Sequence, residues 1–223
     1  MESKYSKFLT IFLIVIIVGI IGLLGYVGYD YLKGNKNDKE AEEYVETFSN
    51  TIENTSTDDN GQTDNSINSN EIKLDDTGSG GTSTKKKKMY KGFPVSGTIE
   101  IPKTGLSCPV LEKPTRKALE TSVATLYPKD AVLNSKGNVV IVGHNYRNGR
   151  FFSNNKKLTN GDKIYITDLD GKKMTYVVYK TFEASEDDTS FYNRDTNGAR
   201  EITLSTCTDD SKARTIVLAK EAN

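Results

Sequence analysis

The sequence predicts a mostly β domain at the C-terminal end of a chain that begins with a membrane helix and continues through a polar linker. Three observations carry that expectation. Apolar residues are concentrated in one uncharged block, Phe8 to Gly28. Residues 29–88 are dominated by Asn, Asp, Glu, Ser, Thr, Lys and Gly. From Met89 onward, short runs rich in β-branched and aromatic residues alternate with Gly- and Asp-containing turns. Composition agrees: apolar residues make up 35% of the 223, and adding the 18 glycines still leaves the chain below the roughly 45–50% of an ordinary globular chain with glycine included.

At about 1.5 Å per residue the apolar block spans about 30 Å, the thickness of a bilayer's hydrocarbon core. Thr10 and Tyr26 are its only polar side chains, and Tyr5, Tyr26, Tyr29 and Tyr31 flank it as interfacial aromatics do. A cleaved signal peptide would carry a shorter apolar region, about 7–15 residues, followed by a small-x-small cleavage site. The stretch GLLGYVGYDYLKG offers no such site. The expectation is therefore a single-pass anchor over 8–28, with residues 1–7 cytoplasmic and the rest of the chain extracellular. Lysines on the two sides of the span nearly balance, so the orientation rests on the exported character of the downstream chain.

Residues 29–88 cannot bury enough apolar surface to offset chain entropy, and a flexible linker is expected there. A short helix over Glu40–Phe48 would continue from the membrane. The folded part is expected at 89–223, with strands at Ser96–Ile101, Leu106–Leu111, Asn138–Val142, Lys163–Asp168, Met174–Phe182, Glu201–Ser205 and Arg214–Ala219. Thr115–Ser122 and the stretch around Phe151–Leu158 have helical character. Seven or eight short strands suit a closed or sandwich-like β domain. Cys108 alternates with Leu106 and Val110, which places it on a core face rather than in a bridge to Cys207.

Several function classes are excluded at once. Two cysteines and one histidine cannot build a disulfide-rich scaffold, a four-cysteine zinc site or a histidine-rich metal centre. Zero net charge argues against a nucleic-acid partner. Glu183, Glu186, Asp187 and Asp188 cluster as hard-cation ligands do, but their spacing matches no defined calcium loop, so no metal and no cofactor is expected.

Three side chains carry the chemistry. His144 closes the apolar run NVVIVGH, Cys207 closes EITLSTC, and Arg214 opens the last strand after the polar turn TDDSKA. Strands that end on one side of a sheet can bring the three together. A cysteine beside a histidine is an activated nucleophile, and a nearby cation can hold a developing oxyanion.

The run Thr203-Leu204-Ser205-Thr206-Cys207-Thr208 resembles the TLxTC signature of sortases. Val142-Gly143-His144-Asn145 is similar to the family's histidine segment, Arg214 stands where its essential arginine does, and Ser96–Lys103 resembles its first strand. The resemblance covers about residues 93–220. It implies an eight-stranded β-barrel with short helices and a membrane-anchored cysteine transpeptidase of Gram-positive cell surfaces. Cys207 would attack the Thr–Gly bond of an LPxTG-like sorting signal, and an amine of a peptidoglycan precursor would resolve the acyl-enzyme. His144 would move protons, and Arg214, with Ser205 and Thr206, would bind the peptide. The resemblance leaves the sortase class open: GHNYRNGRFFSNNKKL and TLSTCT look like class B, while the ending VLAKEAN looks closer to class A. A monomeric catalytic domain is expected. The alternatives are a cysteine peptidase that uses water, a pilin-polymerising sortase, and a stalked surface domain without catalysis.

Overall fold

A computed structural model describes residues 4–55 and 87–222, divided into a unit over 1–43 and a unit over 44–223. The first consists of most of a single helix, α1 (Lys4–Thr55). Its stretch Leu9–Tyr29, with a mean hydropathy of 2.8, is long and apolar enough to cross a membrane. Helix continues well past the apolar block, so residues 29–55 of the expected linker are helical. The segment contains no proline and is rich in Lys, Glu and Ala between Lys36 and Glu46, all good helix formers. Lys36 and Glu40 add an i,i+4 ion pair at 4.0 Å. The remainder of the expected linker, residues 56–86, lies outside the described residues.

The second unit is a closed barrel. Its strands are β2 (Phe93–Ile101), β3 (Leu106–Leu111), β4 (Val123–Tyr127), β5 (Gly137–Val142), β6 (Lys163–Asp168), β7 (Lys173–Ser185), β8 (Arg200–Cys207) and β9 (Ala213–Glu221). A two-residue strand, β1 (Met89–Tyr90), pairs with the start of β2. Around the barrel the order is β2-β3-β4-β5-β8-β9-β7-β6, and β6 pairs back onto β2. Closure leaves these eight strands without a free edge. Two pairings are parallel, β3–β4 and β5–β8. Ile164 and Ile166, and likewise Ile202 and Leu204, are buried at alternate positions and line one face of their strands, as a two-residue period requires.

Gly97 shows what closure demands of the backbone. β2 carries a bulge between Val95 and Gly97 while pairing with both β3 and β6. Gly97 has φ 153°, and a Cβ there would lie 2.2 Å from the carbonyl oxygen of Thr167. Only glycine fits that approach.

All seven expected strands are present, most extended by one to three residues at their ends. β4 is an addition to them; it is short and joins β3 only through the parallel crossover over α2 (Arg116–Thr121). Thr115 caps α2, its Oγ1 accepting from the Ala118 amide at 3.2 Å. The helical expectation over 151–158 shrinks to a single 3-10 turn at Asn155–Lys157. Phe151 there has φ 49°, which breaks a right-handed helix at its first residue. At the N-terminal side, the packed unit reaches back to Tyr44 rather than starting at Met89. Val45 and Phe48 are buried, Tyr44 stacks edge-on against Tyr90 at 5.0 Å, and the Lys88 ammonium sits 3.7 Å over the Phe48 ring. Burial holds the Lys88 amine below its usual range.

Tyr176 in β7 offers a probe of barrel integrity. Its hydroxyl donates to Asn134 Oδ1 at 3.1 Å. The Asn134 amide in turn donates to Asp168 Oδ2 at 3.1 Å and to the Lys172 carbonyl at 2.8 Å. Burial above all, then the nearby Glu221 carboxylate, pushes the phenol up from 10.0 to about 12. The fold thus favours the protonated phenol, so this contribution is complete below pH 10 and is lost as pH rises toward 12. Urea unfolding across that window is expected to show falling stability, with a shallower fall in Tyr176→Phe. The variant itself should be about 1 kcal/mol less stable at neutral pH, through loss of one buried hydrogen bond.

Candidate active site

The site is a product of strand register. β5 and β8 run parallel from Gly137↔Arg200 to Val142↔Ser205, and the Gly143 amide extends the ladder by donating to the Ser205 carbonyl at 3.3 Å. His144 and Cys207, each two residues beyond that last matched pair, therefore stand at the same level and the same end of the β5–β8 pair. β8 turns back into β9 with Cys207 directly opposite Arg214. The Arg214 guanidinium donates through Nη1 to Cys207 Sγ at 2.9 Å. The three expected residues thus meet at one rim, and Cys207 is half-buried there while Cys108 is buried in β3; both are free thiols.

The turn that joins Cys207 to Arg214 is tied by its own side chains. Thr208 Oγ1 donates to Asp210 Oδ1 at 2.7 Å and accepts from the Ala213 amide at 3.1 Å. Asp210 also accepts from the Lys212 amide at 3.2 Å. The Thr208 bond first, then this amide, holds the Asp210 carboxyl below its usual range.

His144 sits against an aromatic cluster. Its ring lies 5.1 Å from Tyr146, whose ring is 5.8 Å from Phe151. The Arg150 guanidinium covers both, 5.4 Å and 5.0 Å from their centroids. Gly143 lets the chain reach this position. A Cβ on Gly143 would come within 2.7 Å of Val123 Cγ1 and 2.9 Å of Phe152 Cδ2.

The loop 186–199 approaches the site through Glu186 and Tyr192, both near Arg214. Arg194 anchors it, donating to Glu201 at 2.6 Å, the Tyr179 hydroxyl at 2.7 Å and Asn138 Oδ1 at 3.0 Å. Asn138 donates back to the carbonyls of Phe191 and Tyr192 at 3.0 Å and 2.9 Å. Phe191 packs with Ala184, Ile216 and Leu218, and the Tyr192 ring meets Tyr127 at 5.7 Å. Burial raises the Tyr192 phenol, and the positive charge of Arg214 opposes that shift. Glu186, which the sequence grouped with candidate cation ligands, instead points a carboxylate oxygen at Arg214 Nη2, 3.7 Å away. Among the described residues no group of three or more His, Cys, Asp or Glu could hold a metal ion.

Ser205 and Thr206 part company. Ser205 shares the strand face of Thr203 and Cys207, whereas Thr206 shares that of the buried Ile202 and Leu204. Thr206 Oγ1 is buried with no hydrogen-bond partner among the described residues. Sequence reasoning found neither Asn145 and Tyr192 beside the site nor Arg194 as the anchor of the 186–199 loop. Only Asn145 carried a signal, its position next to His144.

A closed eight-stranded β-barrel with cysteine, arginine and histidine at one rim is an architecture of the sortase kind. The sequence matches the Sortase domain family over residues 99–222, more than half of the chain, and the chain belongs to the sortase family. It is 37% identical over 122 residues to sortase A of Bacillus anthracis, a match that covers 53% of this chain and 56% of that one. A lid mutant of sortase A from Corynebacterium diphtheriae has the same fold, with a TM-score of 0.53 and 28% identity over 59% of this chain and 72% of that one. So does a Clostridium perfringens sortase C solved with its C-terminal cell wall sorting motif, with a TM-score of 0.51 and 24% identity over 58% of this chain and 71% of that one.

Gly143→Ala is expected to cost about 1–3 kcal/mol, because the added methyl must push Val123 or Phe152 aside in a packed region. Urea unfolding measures this directly. Combining it with Phe152→Leu should recover part of the loss, and a Gly143→Ala variant of unchanged stability would show that the contact is not tight.

Proposed function

We propose that the protein is a membrane-anchored transpeptidase that joins a surface protein to the cell wall through a thioester on Cys207. The observation that carries this reading is the 2.9 Å contact between Arg214 and Cys207 Sγ, at the rim where the β5–β8 register also delivers His144. In the first half-reaction the Cys207 thiolate attacks the carbonyl carbon of the Thr–Gly bond in an LPxTG-like peptide. Arg214, whose planar fork offers several donors, holds the oxygen as it gains charge. The C–N bond then breaks, and the His144 imidazolium passes its proton to the departing amine. In the second half-reaction neutral His144 takes a proton from the incoming peptidoglycan amine, which attacks the thioester and releases the Cys207 thiolate.

Ser205, on the same strand face as Cys207, would line the bound peptide; a role for Thr206 rests on the family resemblance. The Leu9–Tyr29 stretch would anchor the enzyme with its N-terminus inside, and the residues up to 86 would tether the barrel outside the membrane. The catalytic domain would act as a monomer.

Cys207→Ala is expected to abolish both cleavage of an LPxTG-like peptide and its transfer to an added amine, while the unfolding midpoint stays close to that of the parent. Cys108→Ala should retain most activity, and the reverse pair of phenotypes would reassign the nucleophile. Mass analysis of products with and without an amine acceptor separates the transpeptidase from a peptidase that uses water. Arg214→Lys keeps the charge but loses the fork. It should lower kcat/KM by about 10²-fold or more, and turnover near that of the parent would reduce Arg214 to a structural partner.

A further inference from the structure

Asn145, next to the site histidine, makes three hydrogen bonds that leave its amide no alternative orientation. Its Nδ2 donates to the backbone carbonyl of Cys207 at 3.0 Å and to Asp209 Oδ1 at 2.9 Å. Its Oδ1 accepts from the Arg147 amide at 3.0 Å. Two acceptors face the nitrogen and one donor faces the oxygen, so rotating the amide by half a turn would break all three contacts. Asp209 is itself secured by an ion pair with the Lys156 ammonium. A further bond from Arg147 Nη2 to Ser211 Oγ, at 3.0 Å, runs parallel to this chain. The segment after β5 is thereby stitched to the segment after β8, beyond the point where the strand ladder ends.

We propose that Asn145 is a positioning residue for the reaction. By holding the main-chain carbonyl of Cys207 from the residue adjacent to His144, it sets the distance and angle between thiol and imidazole beyond the last matched pair of β5 and β8. Asp209 acts through Asn145, as the second acceptor that keeps the amide nitrogen turned toward Cys207. Asn145 itself touches neither the thiol nor, in the proposed reaction, the substrate. The inference rests on the reading of Cys207 and His144 as the reacting pair. A misplacement of about 1 Å is worth up to about 10²-fold in rate, and that bounds the expected effect.

The test compares Asn145→Ala, Asn145→Asp and the double variant Asn145→Asp with Asp209→Asn, all in the full chain. Three quantities are read: kcat and KM for peptide transfer, the rate at which iodoacetamide alkylates Cys207, and the unfolding midpoint. Alkylation of native protein reports on Cys207, because Cys108 is only 2% exposed. Asn145→Ala and Asn145→Asp should lower kcat by about 10- to 100-fold with KM within twofold. They should also slow alkylation toward the rate of His144→Ala. In the double variant the two side chains exchange roles: the introduced amide can donate to the introduced carboxylate and re-form the link between the two segments. Nothing then donates to the Cys207 carbonyl. Its unfolding midpoint should recover while kcat stays low. Recovery of kcat together with the midpoint would make Asn145 a mere staple and overturn the proposal. So would an Asn145→Ala protein whose kcat and alkylation rate stay within twofold of the parent. If the parent transfers no peptide, the reading of the function fails, while the alkylation rates still decide the role of Asn145.

Discussion

The parallel pairing of β5 with β8 is the constraint on which the site depends. Because side chains alternate along a strand, a slip of one residue would turn Ile202 and Leu204 out of the core and carry Cys207 to the opposite face. Several independent contacts guard against that slip. β8 is paired on its other side with β9 along almost its full length. Thr203 Oγ1 donates across the pair to Asn138 Oδ1 at 2.8 Å. Gly143, which has no side chain, allows the close approach that carries the ladder one step further. Packing and polar contacts select the same register, so Cys207 is placed by the barrel as a whole rather than by its own loop.

The polar cluster around Arg194 shows how an irregular segment can be held as firmly as a strand. Arg194 and Glu201 keep only 19% and 12% of their side-chain surface exposed, and a half-paired charge at that depth would be costly. Every neighbour contributes: Tyr179, Asn138, Thr203 and the Phe191 carbonyl all bond to the guanidinium. Tyr179 also donates to Glu201 at 2.8 Å. With its polar groups satisfied, the cluster fixes the 186–199 loop over the barrel and sets the aromatic wall formed by Tyr127 and Tyr192. Glu186 at the start of the same loop brings a carboxylate to Arg214, so the charge around the arginine is partly set from outside the strands.

What was legible in the sequence was what depends on local pattern. Alternation and turn residues located seven of the eight barrel strands, and residue type at strand ends singled out Cys207, His144 and Arg214. β4 escaped because five residues between a helix and a loop carry too little periodicity, and its place comes from the nonlocal β4–β5 pairing. Helix past Gly28 reaches Thr55 rather than only Glu40–Phe48, because polar composition masks the helix propensity of the Lys and Glu residues there. Thr206 looked equivalent to Ser205 until strand alternation separated them. Asn145 carried no signal beyond its position next to His144 and Arg194 carried none, because each acquires its role from partners far along the chain, 62 residues away for Asn145 and 56 for Arg194.

Barrel closure has a consequence for how the chain comes to be active. The pairings that bring His144 to Cys207 join segments more than sixty positions apart, as the Asn138–Thr203 separation of 65 shows. Contacts of such long range form slowly, since a large loop must be closed before they return any stabilisation. Thiol and guanidinium share a local hairpin, but the imidazole joins them only when β5 pairs with β8. Until then both cysteines are accessible, and a newly made chain in an oxidising compartment could join them. Completion of the barrel ends that exposure by enclosing Cys108, which leaves a single thiol at the surface. The same event that gathers the three side chains thus withdraws the chain's only other thiol from reach of Cys207.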